Sequence, residues 1–382
     1  MSAAGAASGA AGLAGLGWDA GWQAVFAPVA AGSESATAAL VPARVVAAHR
    51  GAWDVLTGDG GPVLGAGITG RLRHEARPAE LPVVGDWVAV DARPGEGAAS
   101  VHVVLPRRTQ LRRKAPADYG APVQVLAANV DVILVATSMN RDLNARRVER
   151  FLTVAWESGA RPVLVLTKAD LARDPVEVAV AEAQLEEVAA GVPVVATSAI
   201  SGAGLDAIRA FLGAGRTVAL VGSSGVGKST LANALLGEER LLVREIREDD
   251  ARGRHTTVGR QLVALPDGEG LLLDTPGLRE LGLWDDGTGL DLAFADVAAA
   301  AESCRFSDCR HQSEPGCAVR AAVAEGALGA DRFAGWQKLA REERYRALEM
   351  DAGARRAEKR RWAAIGKAGA ARSKAKRGEW GR

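Results

Sequence analysis

Between about Ala43 and Lys114 the chain alternates short apolar runs with turn-forming clusters. The runs ARVVAAH, WDVLT, GAGITGRLR, DWVAVDA and SVHVVLP are separated by GDGG, RPAELP and ARPGEG. Short strands with Gly- and Pro-rich breaks at this spacing predict a small β-barrel. The OB-fold is the simplest arrangement, and an SH3-like barrel fits the same pattern. After a linker containing Pro116, Tyr119 and Pro122 the period changes. VDVILVAT (130–137), RPVLVLT (161–167), VPVVATS (192–198) and RTVALVG (216–222) are continuous, β-branched and short. Such runs suit strands covered on both faces of a parallel sheet. Helical segments are expected between them, near 144–157, 175–189 and 204–213. Strand–helix alternation from about 123 to 290 predicts a doubly wound α/β domain.

The ends read differently. Residues 1–17 are Ala/Gly/Ser-rich, which predicts disorder, and Trp18, Trp22 and Phe26 follow among small residues that suit a short helix. Beyond the α/β region come a cysteine cluster, an expected helix near 331–365, and a basic tail.

Composition changes this picture little. About half the residues are hydrophobic (48%) and 24% are charged, a globular profile, and a net charge of +1 gives the average no bias toward an acidic partner. The N-terminus lacks a basic n-region with a long apolar core. No stretch approaches the roughly 18 apolar residues of a membrane span. A cytoplasmic chain with no membrane partner is therefore expected.

The strand RTVALVG runs into Gly222-Ser223-Ser224-Gly225-Val226-Gly227-Lys228-Ser229, which matches G-x-x-x-x-G-K-[ST]. Glycines let successive N–H groups turn toward phosphate oxygens. Lys228 reaches the β- and γ-phosphates, and Ser229 offers a hydroxyl to Mg²⁺. The helix expected at 228–237, with Thr230 in its first turn, would place its positive end under the phosphates. Downstream, LLLDTPG ends a second strand at Asp274. That carboxylate can hold Mg²⁺ through a water, and the Gly277 N–H can meet the γ-phosphate. Between them, REDDARGRHTTVGR carries Thr256 and Thr257, either of which can serve as the switch threonine on Mg²⁺.

The base is read upstream. Guanine presents N1–H and an exocyclic amine, two donors that one carboxylate accepts together. Thr167-Lys168-Ala169-Asp170, ending RPVLVLT, resembles the N-K-x-D guanine motif. Asp170 would read the base, and the Lys168 stem would cover it. Thr197-Ser198-Ala199 resembles the loop whose backbone contacts guanine O6. Thr167 stands where that motif has Asn. The expected consequence is loss of an amide brace and lower nucleotide affinity.

Ordinary GTPases place the phosphate loop first and the base motifs last, whereas here the order is reversed. Joining the ends of a sheet and opening it elsewhere preserves the site while moving the exits. The segment after Asp274 then leads straight into the cysteine-rich module. Loss of the γ-phosphate is accordingly expected to reposition that module.

Cys304, Cys309, His311 and Cys317 follow, and these three cysteines are all that the chain has. An odd, tightly spaced set is a poor disulfide framework. Three thiolates and an imidazole form a closed Cys₃His site for one structural Zn²⁺.

These features together resemble the ribosome small subunit-dependent GTPase A family. The phrases that carry the resemblance are SMNRDLNARRVERFL (138–152), TKADL, GSSGVGKSTLANALLG, GRHTT, DTPGLRE and the cysteine cluster. It covers roughly residues 18–350. It implies a circularly permuted GTPase with an N-terminal OB-fold and a C-terminal zinc domain. It also implies a factor that binds the small ribosomal subunit late in maturation and hydrolyses GTP on doing so. The expected division is an irregular or disordered extension at 1–40, the OB-fold at 41–115 and the permuted GTPase domain at 120–290. A zinc-binding, mostly helical domain at 291–365 and a basic tail at 366–382 complete it.

Leu278 follows Gly277 where many GTPases place a water-orienting Gln. His255 is the candidate within the chain for that task, and the ribosome is the alternative. Slow intrinsic hydrolysis with strong activation by the partner is expected either way. From Arg355 to Arg382 there are eleven Lys/Arg against Glu358 and Glu379, with Trp362 and Trp380 as stacking candidates. Arg107, Arg108, Arg112, Arg113 and Lys114 form a second basic cluster. Both suit ribosomal RNA. The expected protein is a monomeric GTPase that uses GTP/GDP, Mg²⁺ and one structural Zn²⁺ and partners the small subunit and its rRNA. Rival readings are a permuted GTPase with another target, or an RNA-binding or chaperone module with a vestigial nucleotide site.

Overall fold

The computed structural model describes residues 12–32, 39–58, 61–114, 123–140, 143–189, 191–238, 260–274 and 288–350. In the N-terminal extension the order at residues 12–17 departs from the expected disorder, while the short helix expected around Trp18, Trp22 and Phe26 is present. Leu13 and Leu16 are buried around a short 3-10 turn, and helix α1 (Ala20–Ala31) follows, capped by Asp19, which accepts from the Trp22 N–H at 2.8 Å. The physical reason is aromatic burial. Trp18, Trp22 and Phe26 pack on Trp87 and Leu105 of the barrel and reach Leu271, with the Trp18 and Trp87 rings edge-on at 4.7 Å.

The barrel comprises β1 (Val41–Ala48), β2 (Trp53–Leu56), β3 (Leu64–Ile68), β4 (Trp87–Arg93) and β5 (Ala98–Val104). Strand β1 pairs antiparallel with β2 and β4, while β3 pairs parallel with β5. The ring closes in the order β1-β2-β3-β5-β4 and back to β1. This is the Greek-key closure of an OB-like barrel, so the SH3-like alternative falls away. Alternate residues Ala43, Val45, Val55, Leu64, Val88, Val90 and Val101 fill the interior. The third apolar run is a strand only in its first half. Thr69 caps a short helix, α2 (Gly70–Glu75), by accepting from the Leu72 N–H at 3.3 Å.

The expected linker is flanked by a hairpin-like pair that periodicity did not reveal. Strands β6 (Gln110–Lys114) and β7 (Val123–Ala128) form a separate two-stranded antiparallel sheet.

The α/β sheet runs β10-β9-β8-β11-β13-β12, with β8 (Val132–Ser138), β9 (Arg161–Thr167), β10 (Val194–Ala196), β11 (Thr217–Gly222), β12 (Arg260–Ala264) and β13 (Leu271–Asp274). All pairings are parallel except β12–β13. Alternation sorts the side chains between two cores. Val132, Leu134, Val218 and Leu220 meet Ile208 on α5 (Leu205–Arg209) and Leu231 and Leu235 on α6 (Lys228–Leu236). Ile133, Val135 and Val221 face the other way, onto Val148 and Leu152 of α3 (Ala145–Glu157) and Leu185 of α4 (Pro175–Val188).

That second core continues without a break into the C-terminal module. Its helices are α7 (Thr288–Ala293), α8 (Ala295–Ala301), α9 (Ala318–Ala324) and α10 (Ala330–Met350). Phe294, Val297, Val319, Phe333 and Leu339 belong to the same buried cluster as Ile133 and Val148. Barrel and α/β sheet are also one surface, because β1 pairs antiparallel with β12 through Ala47–Gln261 and Ala48–Arg260. Arg44, 2% exposed, seals the junction. Its guanidinium donates to the Leu16 carbonyl (3.2 Å), the Asn129 carbonyl (3.1 Å) and the Thr217 hydroxyl (3.1 Å), and lies over the Trp87 ring. Burial holds its pKa down, at about 10, so the cation persists at neutral pH.

Candidate functional site

The phosphate loop leaves β11 at Gly222 and enters α6 at Lys228. Gly222 has φ +143, and a Cβ there would collide with the Ala136 carbonyl of neighbouring β8, so only glycine fits the close approach. The Lys228 ammonium donates to the Gly222 carbonyl at 2.8 Å and also to the Ser223 carbonyl. Ser224 and Gly225 are exposed, while Val226 is buried and anchors the loop. Ser229 and Thr230 stand in the first turn of α6 behind them. Asp274 ends β13, whose neighbour is β11, so its backbone lies beside the strand that delivers the loop.

The tetrapeptide Thr167-Lys168-Ala169-Asp170 touches that loop. The buried Thr167 hydroxyl lies within donor distance of the Val226 carbonyl and, at 3.0 Å, of the Thr137 carbonyl. Lys168, in the left-handed region at φ 58, donates from Nζ to the Gly225 carbonyl at 2.6 Å. The amide expected at this position is absent, and toward the loop the Thr167 hydroxyl takes up the brace. The hydroxyl is short, but β9 ends close enough to the loop for it to span the gap. Asp170 is exposed and has no partner among the described residues, as a carboxylate that accepts from a ligand should be. Across from it, the Thr197 carbonyl accepts from the Ala169 N–H (3.1 Å), and the Ser198 hydroxyl accepts from the Ser201 N–H (3.2 Å). Thr167, Lys168, Asp170, Ala199 and Gly227 line one cleft, closed on its apolar side by Leu171 and Ile200. An apolar wall with one carboxylate at the rim suits a flat base that must be read along one edge.

Arg147, in the first turn of α3, donates from Nη1 to the Ser223 hydroxyl at 3.0 Å. It lies in the stretch SMNRDLNARRVERFL, which pointed to the family but assigned no role to this residue.

At the C-terminal module, the ligand atoms of Cys304, Cys309, His311 and Cys317 all lie within 4.8 Å of one another. His311 Nδ1 is 3.5 Å from Cys304 Sγ and 3.3 Å from Cys317 Sγ. A tetrahedron with zinc–sulfur bonds near 2.3 Å and zinc–nitrogen bonds near 2.0 Å has edges of about 3.6 Å, so this donor set fits Zn²⁺. His311 adopts φ 56, and its ring packs 5.2 Å from Trp336. Four protein ligands close the shell, which suits a structural ion.

The module also grips the α/β domain. Glu149 on α3 is 4% exposed and accepts from Arg332 of α10 at 3.3 Å. Burial outweighs the nearby guanidinium and raises the Glu149 pKa to about 7. Arg332 also donates to Asp296 and to the Val188 and Ala293 carbonyls, and Arg150 donates to Glu342 at 2.9 Å. Sequence periodicity carries no signal for such a cross-domain clasp.

The expected basic cluster at the end of the barrel is partly taken up by ion pairs within the chain. Arg107 is bidentate on Asp86 at 2.8 Å, and Arg108 is bidentate on Asp19 at 2.6 and 2.7 Å. Arg112, Arg113 and Lys114 lie on β6. A different basic cleft was not anticipated: Arg310, Arg341 and Arg344 surround Trp336 and Gln312 beside the cysteine cluster. His255, Thr256, Thr257, Gly277, Leu278, Trp362, Trp380 and the basic tail lie outside the described residues.

Comparison with known proteins gives a consistent picture. The RsgA GTPase family model matches residues 104–284. A Small ribosomal subunit biogenesis GTPase RsgA from Streptomyces coelicolor is 49% identical over 359 residues, covering 93% of this chain and 94% of the relative. Among solved structures, YjeQ from Thermotoga maritima is similar with a TM-score of 0.61 at 27% identity, covering 80% of this chain and 98% of that one. YloQ, a circularly permuted GTPase, aligns with a TM-score of 0.59 at 23% identity over 80% of this chain and 96% of that chain, a likeness of fold.

Proposed function

This chain belongs to the RsgA GTPase family, and on that premise we propose that it hydrolyses GTP as a biogenesis factor of the small ribosomal subunit. The observation that carries the reading is the direct contact between the base-reading strand end and the phosphate loop, Thr167 to Val226 and Lys168 to Gly225. A site in which base and phosphates are held by touching elements is built for one whole nucleotide.

The finer assignments belong to the same proposal. Asp170 accepts from the guanine edge, Lys168 covers the base, and the Ser198–Ala199 backbone meets O6. Gly222 to Gly227 cradle the phosphates, and Lys228 neutralises charge on the β- and γ-oxygens. Ser229, Asp274 and one of Thr256 and Thr257 hold Mg²⁺. His255 or a group of the subunit orients the attacking water. Cys304, Cys309, His311 and Cys317 hold one Zn²⁺ that folds the module rather than doing chemistry. The family implies GTP/GDP and Mg²⁺, and the donor set of the cysteine cluster supports the zinc.

Ribosomal RNA is the proposed contact of the chain, which acts as a monomer in the cytoplasm, late in subunit maturation. The arginine cleft around Trp336 supports RNA binding, since guanidinium groups pair with phosphate and the indole offers a stacking face. Among the described residues no helix is long and apolar enough to cross a membrane. Co-sedimentation tests the partnership. With a non-hydrolysable GTP analogue the chain should pellet with small subunits and not with large ones, and GDP should release it. Equal pelleting with both subunits would contradict the proposal.

A further inference from the structure

Helix α3 brings a third cation to the phosphate loop, after Lys228 and Lys168. Lys228 Nζ meets the Ser223 carbonyl, and Arg147 Nη1 meets the Ser223 hydroxyl at 3.0 Å. Two positive groups from different elements thus converge on the second residue of the loop. Arg147 is exposed, so its guanidinium lies at the solvent-facing mouth and not in the core. The backbone that carries it is pinned on both sides. Asn144 caps the helix, with its side chain accepting from the Arg147 N–H at 3.2 Å, and Val148 is buried one residue on. Glu149 and Arg150 then tie the same turn to Arg332 and Glu342 of the C-terminal module. A fixed backbone and a long, exposed side chain place the guanidinium at Ser223, on the rim of the loop.

A terminal phosphate matches a guanidinium better than a neutral serine hydroxyl does: its oxygens meet the planar fork in two parallel hydrogen bonds, and negative charge spreads over them during transfer to water. We infer that Arg147 is a γ-phosphate contact supplied in cis by α3, exchanging the Ser223 hydroxyl for a phosphate oxygen when GTP enters the loop. This rests on the GTPase reading above. Because GDP lacks the group that Arg147 meets, the residue distinguishes the two nucleotides. Its helix is clasped by the C-terminal module, so the geometry of that contact depends on where the module holds α3.

The test is titration of the full-length chain with fluorescent GDP and with a fluorescent non-hydrolysable GTP analogue, for wild type, Arg147→Ala and Arg147→Lys. Arg147→Ala should weaken the analogue about ten-fold or more, the effect of a lost hydrogen bond between charged groups, with GDP binding held within about two-fold. Arg147→Lys should recover part of the loss, because it keeps the charge without the fork. Equal weakening of both nucleotides, or of neither, would overturn the inference. A wild-type chain that binds neither nucleotide would overturn the GTPase reading and this inference with it.

Discussion

The hydroxyl of Thr167 reaches the main-chain carbonyl of Val226, so the strand that ends in Thr167-Lys168-Ala169-Asp170 is fastened to the phosphate loop. The two residues are 59 positions apart and come from β9 and the loop after β11. Thr167→Val keeps the shape and removes the donor. With a buried hydrogen bond worth about 1 to 2 kcal/mol, nucleotide affinity should fall about five- to thirty-fold. GDP and a GTP analogue should suffer alike, because the brace serves the whole loop. Fluorescent-nucleotide titration checks both numbers.

Asp170 is the proposed reader of the base. An Asp170→Asn side chain presents an amide donor where guanine also presents donors, so GDP affinity should drop about a hundred-fold or more. Xanthosine diphosphate carries a carbonyl at that edge and should bind the variant better than the wild type. Competition between the two diphosphates reads the exchange directly.

Zinc should be present at about one ion per chain and absent from Cys317→Ser. Cys317 is buried in the same cluster as Phe294, Phe333 and Leu339. Losing the ion should therefore lower the melting temperature of the whole α/β domain by several degrees and not merely loosen one end. Metal analysis alongside thermal denaturation would show whether the two losses coincide.

Glu149 gives the clasp a pH signature. Its pKa rises from 4.5 to about 7 on folding because burial disfavours the charge. A carboxyl shifted upward binds more protons folded than unfolded. Its contribution is full below about 4.5 and is lost as the pH rises through about 7. The melting temperature of the wild type should accordingly fall, relative to Glu149→Gln, across that window. The variant keeps an acceptor for Arg332, so parallel curves for the two proteins would remove Glu149 as the cause.

Much of the site was legible because its parts are local. The phosphate loop, TKAD and the cysteine cluster are short stretches whose spacing suffices, and the continuous runs of β8, β9 and β11 announce a parallel sheet. The barrel was legible as strands, while its topology needed the parallel β3–β5 pairing. What escaped were contacts between distant residues. Arg44 and Thr217, Arg332 and Glu149, and Arg147 and Ser223 each join elements far apart in sequence, and no periodicity marks such pairs. The order at Leu13 and Leu16 escaped because Ala- and Gly-rich sequence suggests disorder, whereas the aromatics that follow find Trp87 to pack on and bury both leucines beside them. The hydroxyl brace from Thr167 escaped because the distance across to Val226 is a property of the fold.

GTP turnover of the full-length chain, measured alone, with purified small ribosomal subunits and with purified large ones, tests the central claim most directly. The predicted result is a slow rate alone, strong stimulation by small subunits only, and loss of the stimulated rate in Lys228→Ala. Equal stimulation by either subunit, or no turnover in any mixture, would contradict it.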